Sequence, residues 1–324
     1  MTVAILREPT LRECVGIDRP SLECIAESFG WLQDGRAMVP PVAHVEAADR
    51  HGEIDIKTAY VRGVDRFAVK IATGFPGNAA RGLPTGSGMM MVFSAETGFC
   101  ESVLLDNGYL TDLRTGLAGA VAADRLAPKE IGTVGILGSG VQARYQLLSL
   151  ALVRKIGRVL AWGRSQDHVV RYAEEMQSRH GIGIEVAKSP EDVVRQSSLL
   201  ITVTASRRPI VRAEWMKPGL HITAAGADFP GKQELDAAVL ERADRLFCDR
   251  LEQCRRLGEL QHWKADRALV AVELGAVIRG AASGRQRDSE ITVCDLTGVG
   301  VQDTAIADRA CARAKSKFPE LFAG

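Results

Sequence analysis

Two hydrophobic periodicities divide the chain. Leu22, Ile25, Phe29 and Leu32 recur at helical spacing and predict a helix over 12–36, with Ser21 as the candidate cap at its start. From 42 to 75 the pattern becomes alternating. Ile54, Ile56, Phe67, Val69 and Ile71 predict strands, with a turn at 63–65 between them. A second strand pair is predicted within 83–108, turning at Glu96-Thr97-Gly98. The first hundred residues therefore read as a helix followed by an antiparallel sheet.

From Thr111 the pattern changes again. TDLRTGLAGAVAADRLAP is a helix of small residues that ends before Pro128. Strand-like runs follow at 133–137, 158–162, 199–203, 220–225, 244–248 and 291–296, with helix-like runs at 141–155, 167–179 and 235–242. Strands alternating with helices imply parallel pairing in a doubly wound α/β sheet. A last helix is predicted at 301–317, and no internal repeat or low-complexity segment interrupts the order.

Composition narrows the partners. The 324 residues suggest about two domains, and 46% hydrophobic content suits a real core. Lys and Arg total 41 against 40 Asp and Glu, a net charge of +1 that argues against nucleic acid as partner. Aromatics at 5% are too few for a base-stacking platform. No apolar run approaches the roughly 18 residues of a membrane span, and the first residues, which meet Arg7 and Glu8 early, lack the apolar stretch of a secretory signal, so none is expected. The seven cysteines are scattered and form no C-x-x-C pair, and the six histidines show no metal spacing. No metal and a cytoplasmic setting with reduced thiols are therefore expected.

Glycine is the one excess, at 32 residues. Its sharpest concentration is TVGILGSGVQARYQLLSLAL, where an apolar strand runs into Gly138, Ser139, Gly140, Val141, Gln142 and Ala143 and then into a helix. This is the G-x-G-x-x-A form of the dinucleotide fingerprint. Gly138 would permit the tight turn, Gly140 the approach of a pyrophosphate, and Ala143 close helix packing. The next strand should end in an acidic residue to hold an NAD ribose. It ends instead in Ala161-Trp162-Gly163-Arg164-Ser165. A guanidinium and a hydroxyl there favour a 2′-phosphate, so NADP is favoured slightly over NAD.

Charged residues in apolar surroundings nominate the chemistry. Lys70 in FAVKIATG either faces a cleft or is an exposed strand lysine. Arg114 in TDLRTG either grips a carboxylate or lies on a helix surface. Asp228 in TAAGADFPGK either faces the ligand crevice beyond a strand end or serves a turn.

Together with the nucleotide turn, FAVKIATGFPGN (67–78), GLPTGSGMMMVFSAETG (82–98), the 111–128 helix, ITVTAS (201–206), TAAGADFPGKQELD (223–236) and CDLTGVGVQD (294–303) resemble the ornithine cyclodeaminase/mu-crystallin family over nearly the whole chain. HGEIDIKTAY, VDRF and LLDNGYLTD look most like its ectoine-utilisation branch. The resemblance implies a homodimer with a Rossmann-type sheet inserted into an α+β substrate and dimerisation domain. Residues 1–126 with 300–324 would form the latter, and 127–299 the dinucleotide-binding domain.

The resemblance also implies roles. Lys70 and Asp228 would be catalytic, and Arg114 would lie between the substrate carboxylate and the nicotinamide. Thr85, Gly138, Ser139, Gly140, Val141, Gln142, Arg164, Ser165, Thr204, Ala225, Gly226, Ala227, Lys232 and Gly298 would serve the cofactor. Asp55 falls where the cyclodeaminase has a substrate-binding glutamate, and Thr297 beside a substrate position. The sequence departs from the family at three places. Gly163 replaces the cyclodeaminase aspartate, Leu296 replaces a serine, and Val42 follows Pro40-Pro41 where many members have an arginine, leaving His44 or Lys57 to substitute.

The expected function is an NAD(P)(H)-dependent oxidoreductase acting on a small amino or imino acid, in ectoine or diamino-acid catabolism. The alternatives are a cyclodeaminase-type ammonia lyase that recycles NAD, and a non-catalytic NADPH-holding protein of the mu-crystallin type.

Overall fold

The computed structural model describes residues 3–265 and 268–322. The chain forms two compact units, Met1–Arg114 with Val299–Gly324, and Thr115–Gly298. The division falls within the helix Tyr109–Leu126 instead of after it. Gly116 and Gly119 account for the shift. They let the backbone of this helix touch Tyr145 and Gln146 of the helix Val141–Leu150, so the stretch from Thr115 packs with the second unit.

The first unit is built on a seven-stranded sheet. Its order is Ala4–Arg7, Cys100–Leu105, Gly86–Ser94, Arg66–Gly74, Gly52–Val61 and Ala37–Met38, with Ala43–Ala47 also paired to Gly52–Val61. The sheet is mixed, not purely antiparallel, because Ala4–Arg7 runs parallel to Cys100–Leu105. Four residues are too short a window for sequence periodicity to reveal such a long-range pairing.

Strand register places Leu6, Leu104, Met90, Lys70 and Lys57 in one cross-sheet row on the buried face. The helix Gly300–Lys317 lies on two of these strands. Its Thr304 hydroxyl donates to the Ala59 carbonyl at 2.9 Å and accepts from the Ala68 N–H at 3.2 Å. The helix Arg19–Gln33 packs against it in turn.

The predicted 12–36 helix is two helices, Glu8–Cys14 and Arg19–Gln33. Asp18, not Ser21, caps the second, accepting from the Ser21 N–H at 2.7 Å. Pro20 sits in its first turn, where a missing N–H costs nothing.

The second unit holds an eight-stranded, wholly parallel sheet. Its order is Glu185–Val186, Arg158–Trp162, Thr133–Leu137, Leu199–Thr202, His221–Ala224, Thr292–Asp295, Arg245–Cys248 and Ala271–Glu273. The chain winds outward from Thr133–Leu137 in one direction and then in the other. This is the doubly wound Rossmann-type arrangement, with its switch point beside that first strand. The strands are buried on both faces and read as near-continuous apolar runs. A parallel pair, Arg207–Val211 with Gln233–Leu235, stands apart, so the helix predicted at 235–242 begins only at Ala237. The helix predicted at 141–155 ends at Leu150.

Candidate active site

The glycine-rich turn has the shape its sequence implies. Gly138 has a φ of 125°, and a Cβ there would meet the Val203 carbonyl oxygen at 2.8 Å, so only glycine fits. A Cβ on Gly140 would meet nothing within 4 Å, which leaves its backbone open to a ligand. No side chain caps the helix Val141–Leu150, and Val141 at its start is 54% exposed. Arg144 braces the turn from behind, donating to the carbonyls of Ser139 (2.9 Å) and Gly140 (3.0 Å) and pairing with Glu175. An open turn, an uncapped helix start and a positive dipole end fit a dinucleotide pyrophosphate. Of the second-strand candidates, Arg164 is exposed, whereas the Ser165 side chain caps the helix Gln166–His180.

Two further predicted clusters sit beyond strand ends and are tied together by buried carboxylates. Glu234 accepts from the Thr202 hydroxyl (2.7 Å), the Thr204 N–H (2.6 Å) and the Gly226 N–H (3.0 Å). It thereby joins the loop carrying Thr204 to the loop carrying Ala225, Gly226, Ala227 and Asp228. A Cβ on Gly226 would collide with both Glu234 and the Thr204 carbonyl, so the glycine permits this clamp. Burial pushes the Glu234 carboxyl up to about 7, against the opposing pull of its hydrogen bonds. Asp228 is 41% exposed and pairs with Lys232 at 2.8 Å.

Asp249 likewise holds the last strand's exit, accepting from the N–H groups of Thr297 (2.8 Å) and Gly298 (2.7 Å). The Thr297 hydroxyl lies between Asp249 and Gln253, so this residue serves an internal network.

In the first unit, Lys70 and Arg114 are buried, not surface residues, at 1% and 4% exposure. Lys70 comes from the strand Arg66–Gly74 and Arg114 from the second turn of the helix Tyr109–Leu126. Both reach one carboxylate: Lys70 Nζ and Arg114 Nε each lie 3.0 Å from Asp303 Oδ1. Burial, reinforced by the Arg114 charge and then by Lys57, pushes the Lys70 ammonium down to about 7, although Asp303 pulls the other way. Burial alone would raise the Asp303 carboxyl, but Lys70, Arg114 and Lys57 outweigh it and hold it below its ordinary value.

One rung along the same face, His44 Nδ1 and Asp55 Oδ1 pair at 2.6 Å. Thr85 is an exposed residue of this unit beside the strand Gly86–Ser94.

Asp303, Glu234 and Asp249 were not singled out by sequence reasoning. A signal existed for Asp303. It shares a buried helical stripe with Ile306, Ala307 and Ala310, where a carboxylate needs a partner. Nothing local marked Glu234 or Asp249, whose partners come from loops far along the chain.

The Rossmann-type sheet, the open glycine turn and the buried cations define an NAD(P)-dependent enzyme of amino- or imino-acid chemistry. The chain belongs to the ornithine cyclodeaminase/mu-crystallin family, whose profile matches residues 11–317. It is 43% identical to an uncharacterized cyclodeaminase, y4tK, of Sinorhizobium fredii, over 98% of this chain and 97% of that one. It is 30% identical to the iminosuccinate reductase of Paracoccus denitrificans, over 94% and 96%. The solved structure of an archaeal alanine dehydrogenase dimer with bound NAD superposes with a TM-score of 0.89 at 35% identity, covering 98% of this chain and 97% of that one.

Proposed function

We propose that the protein is an NAD(P)(H)-dependent oxidoreductase that reduces an α-imino acid to the amino acid, or runs the reverse oxidation. The observation that carries this reading is the buried cation pair Lys70–Arg114, held by Asp303 in a fold whose other unit offers an open dinucleotide turn. When bound, the nicotinamide supplies or accepts the hydride at the carbon bearing nitrogen.

Lys70 and Arg114 bind the substrate carboxylate, Arg114 through its planar fork. Asp228 delivers a proton to the nitrogen, or removes one in reverse, a task suited to a carboxylate beyond a strand end. Glu234 holds the Asp228 loop in place by hydrogen bonds to the Gly226 and Thr204 N–H groups. The similarity to an iminosuccinate reductase supports imine reduction as the physiological direction. Arg164, with Gly163 in place of an acidic residue, supports NADP over NAD.

Purified protein with NADPH or NADH should oxidise the cofactor when given α-imino acids or cyclic ketimines. No oxidation with any of them would contradict the proposal. A second reading, redox-neutral cyclodeamination, draws on Asp55 as a site for a distal ammonium and on the similarity to y4tK. Ammonia release from a diamino acid without net change in the cofactor would select it. The non-catalytic NADPH-holding alternative is disfavoured by the retained Lys70, Arg114 and Asp228.

A homodimer is part of the proposal. The sheet face opposite Lys70 carries the apolar residues Ile5, Val45, Ile56 and Tyr60, all at least 36% exposed. The ectoine-branch stretches support a place in ectoine catabolism, and seven free cysteines support a reducing cytoplasm.

A further inference from the structure

The loop between the strand Cys100–Leu105 and the helix Tyr109–Leu126 is folded tightly around one carboxylate. Asn107 and Gly108 follow one another in the left-handed region, with φ of 53° and 89°. For asparagine that conformation is uncommon and costs energy. The Asn107 amide donates to Glu8 at 3.0 Å. Gly108 closes onto the sheet: a Cβ on Gly88 would meet its Cα at 3.6 Å and the Ile71 carbonyl oxygen at 3.0 Å.

The residue that this turn tucks inward is Asp106, 1% exposed. Its Oδ2 accepts from the Leu110 N–H at 2.8 Å, at the start of the helix that carries Arg114. Its Oδ1 is buried as well, and no hydrogen bond reaches it from the described residues. Capping a helix takes one side-chain oxygen, which Asn or Ser supplies as well as Asp. A buried charge with an oxygen to spare calls for a cation.

Strand register supplies that cation. Met90 pairs with Leu104 on one side and with Lys70 on the other. Two residues along, the same pairing sets Gly88 between Ala72 and Asp106, so the middle strand offers only a hydrogen in this row. Burial pushes the Asp106 carboxyl up to about 6, against the pull of the backbone N–H groups at the helix start and of the Lys70 charge. The other charged groups on the elements packed here are Arg114, Lys57 and Asp303, the His44–Asp55 pair one rung along, and Asp112 in the first helical turn. Glu8 and Arg12 lie on the outer side, Arg12 over the Tyr109 ring. Asp303 brings one negative charge to the two cations Lys70 and Arg114, and Asp106 brings a second.

We infer that Asp106 is a positioning residue of the carboxylate site: its charge keeps Lys70 protonated in the free enzyme, so that the ammonium is ready for the substrate carboxylate. This rests on the oxidoreductase reading above and adds a residue to its machinery. Asp106 acts through Lys70 and through the start of the Arg114 helix, without touching substrate or cofactor.

The test is the pH profile of kcat/KM for the imine formed from ammonium and 2-oxobutyrate, followed by oxidation of NADPH and NADH. The ratio of variant to wild type at each pH cancels the pH dependence of the imine itself. Asp106→Asn and Asp106→Ser both keep an acceptor for the Leu110 N–H and remove the charge. Each should move the limb that falls near 7 to lower pH by at least about half a unit. The ratio should then drop about threefold or more between pH 5.5 and 8. A role as helix cap alone predicts a flat ratio, and a flat ratio in either folded variant would overturn the assignment. Should neither variant fold, wild type provides the readout by itself. With carboxyl-13C aspartate, one signal should titrate near 6 and shift again near 7, as Lys70 loses its proton. A signal near 6 without the second step, or none near 6, would overturn the pairing. Absence of cofactor oxidation by wild type with any imine would overturn the oxidoreductase reading, and the carbon titration would still decide whether Asp106 serves Lys70.

Discussion

Lys70 and Arg114 share Asp303: the lysine ammonium and the arginine Nε each lie 3.0 Å from the same carboxylate oxygen, Oδ1, and the carboxylate is fully buried. Removing one member of such a group leaves uncompensated charge in a dry environment. Asp303→Asn should therefore destabilise the protein by about 3–5 kcal/mol. Urea unfolding, compared with wild type at one pH, measures this. A loss below about 1 kcal/mol would show that Asp303 does not carry the two cations.

Lys70 gives a pH signature. Its ammonium is pushed down to about 7 in the folded protein, below its ordinary 10.5. In the free enzyme, kcat/KM for a carboxylate substrate should fall as pH rises through about 7, because the charge that binds the carboxylate is lost. A bound carboxylate stabilises the ammonium, so the corresponding limb of kcat should lie at higher pH. Stability moves the opposite way. Between about 7 and 10.5 the unfolded chain holds the proton that folded Lys70 has released, so this group's contribution to stability rises with pH and is lost as pH falls toward 7. Lys70→Met should abolish that trend, and parallel pH profiles of activity and unfolding check both signs.

Glu234 offers two oxygens to three donors. In Glu234→Gln an amide N–H must face a donor, at a cost of about 1–3 kcal/mol. The carboxyl sits at about 7 in the folded state against an ordinary 4.5, so its contribution to wild-type stability declines as pH rises across that interval. The gap between wild type and Glu234→Gln should narrow over the same interval, by at most about 1.4 kcal/mol per pH unit. Unfolding series at several pH values measure the gap. A gap that is constant with pH would refute the assignment of a raised carboxyl.

Arg164 bears on the cofactor. Loss of a charge-assisted contact to a 2′-phosphate should weaken NADPH by roughly 10- to 100-fold in Arg164→Gln and leave NADH nearly unchanged. Cofactor titration by nicotinamide fluorescence separates the two. Equal weakening of both would remove Arg164 from phosphate recognition.

How much was legible in the sequence follows from how local each feature is. The nucleotide turn was readable because its glycines, flanking strand and helix lie within one continuous stretch, and the structure gives Gly138 the φ of 125° that such a turn needs. The alternating strands and helices of the second unit were readable for the same reason. Lys70 and Arg114 were nominated, but their burial was undecided, because period two cannot say which face of a sheet is covered. That depends on the helix Gly300–Lys317, more than 200 residues away along the chain. The strand Ala4–Arg7 and the Glu234 clamp were hidden likewise, since each is defined by a partner distant in sequence. The helix predicted over 12–36 failed locally: its apolar stripe hid the break before Arg19, which Asp18 and Pro20 signal together.

The central claim is hydride exchange at the carbon that bears nitrogen. Its most direct measurement is turnover of an α-imino acid with nicotinamide cofactor deuterated at C4, followed by mass analysis of the amino acid product. Stereospecific transfer should place one deuterium on Cα, with one oxidised cofactor formed per product. An unlabelled product, or ammonia release from a diamino acid without net cofactor change, would contradict the account.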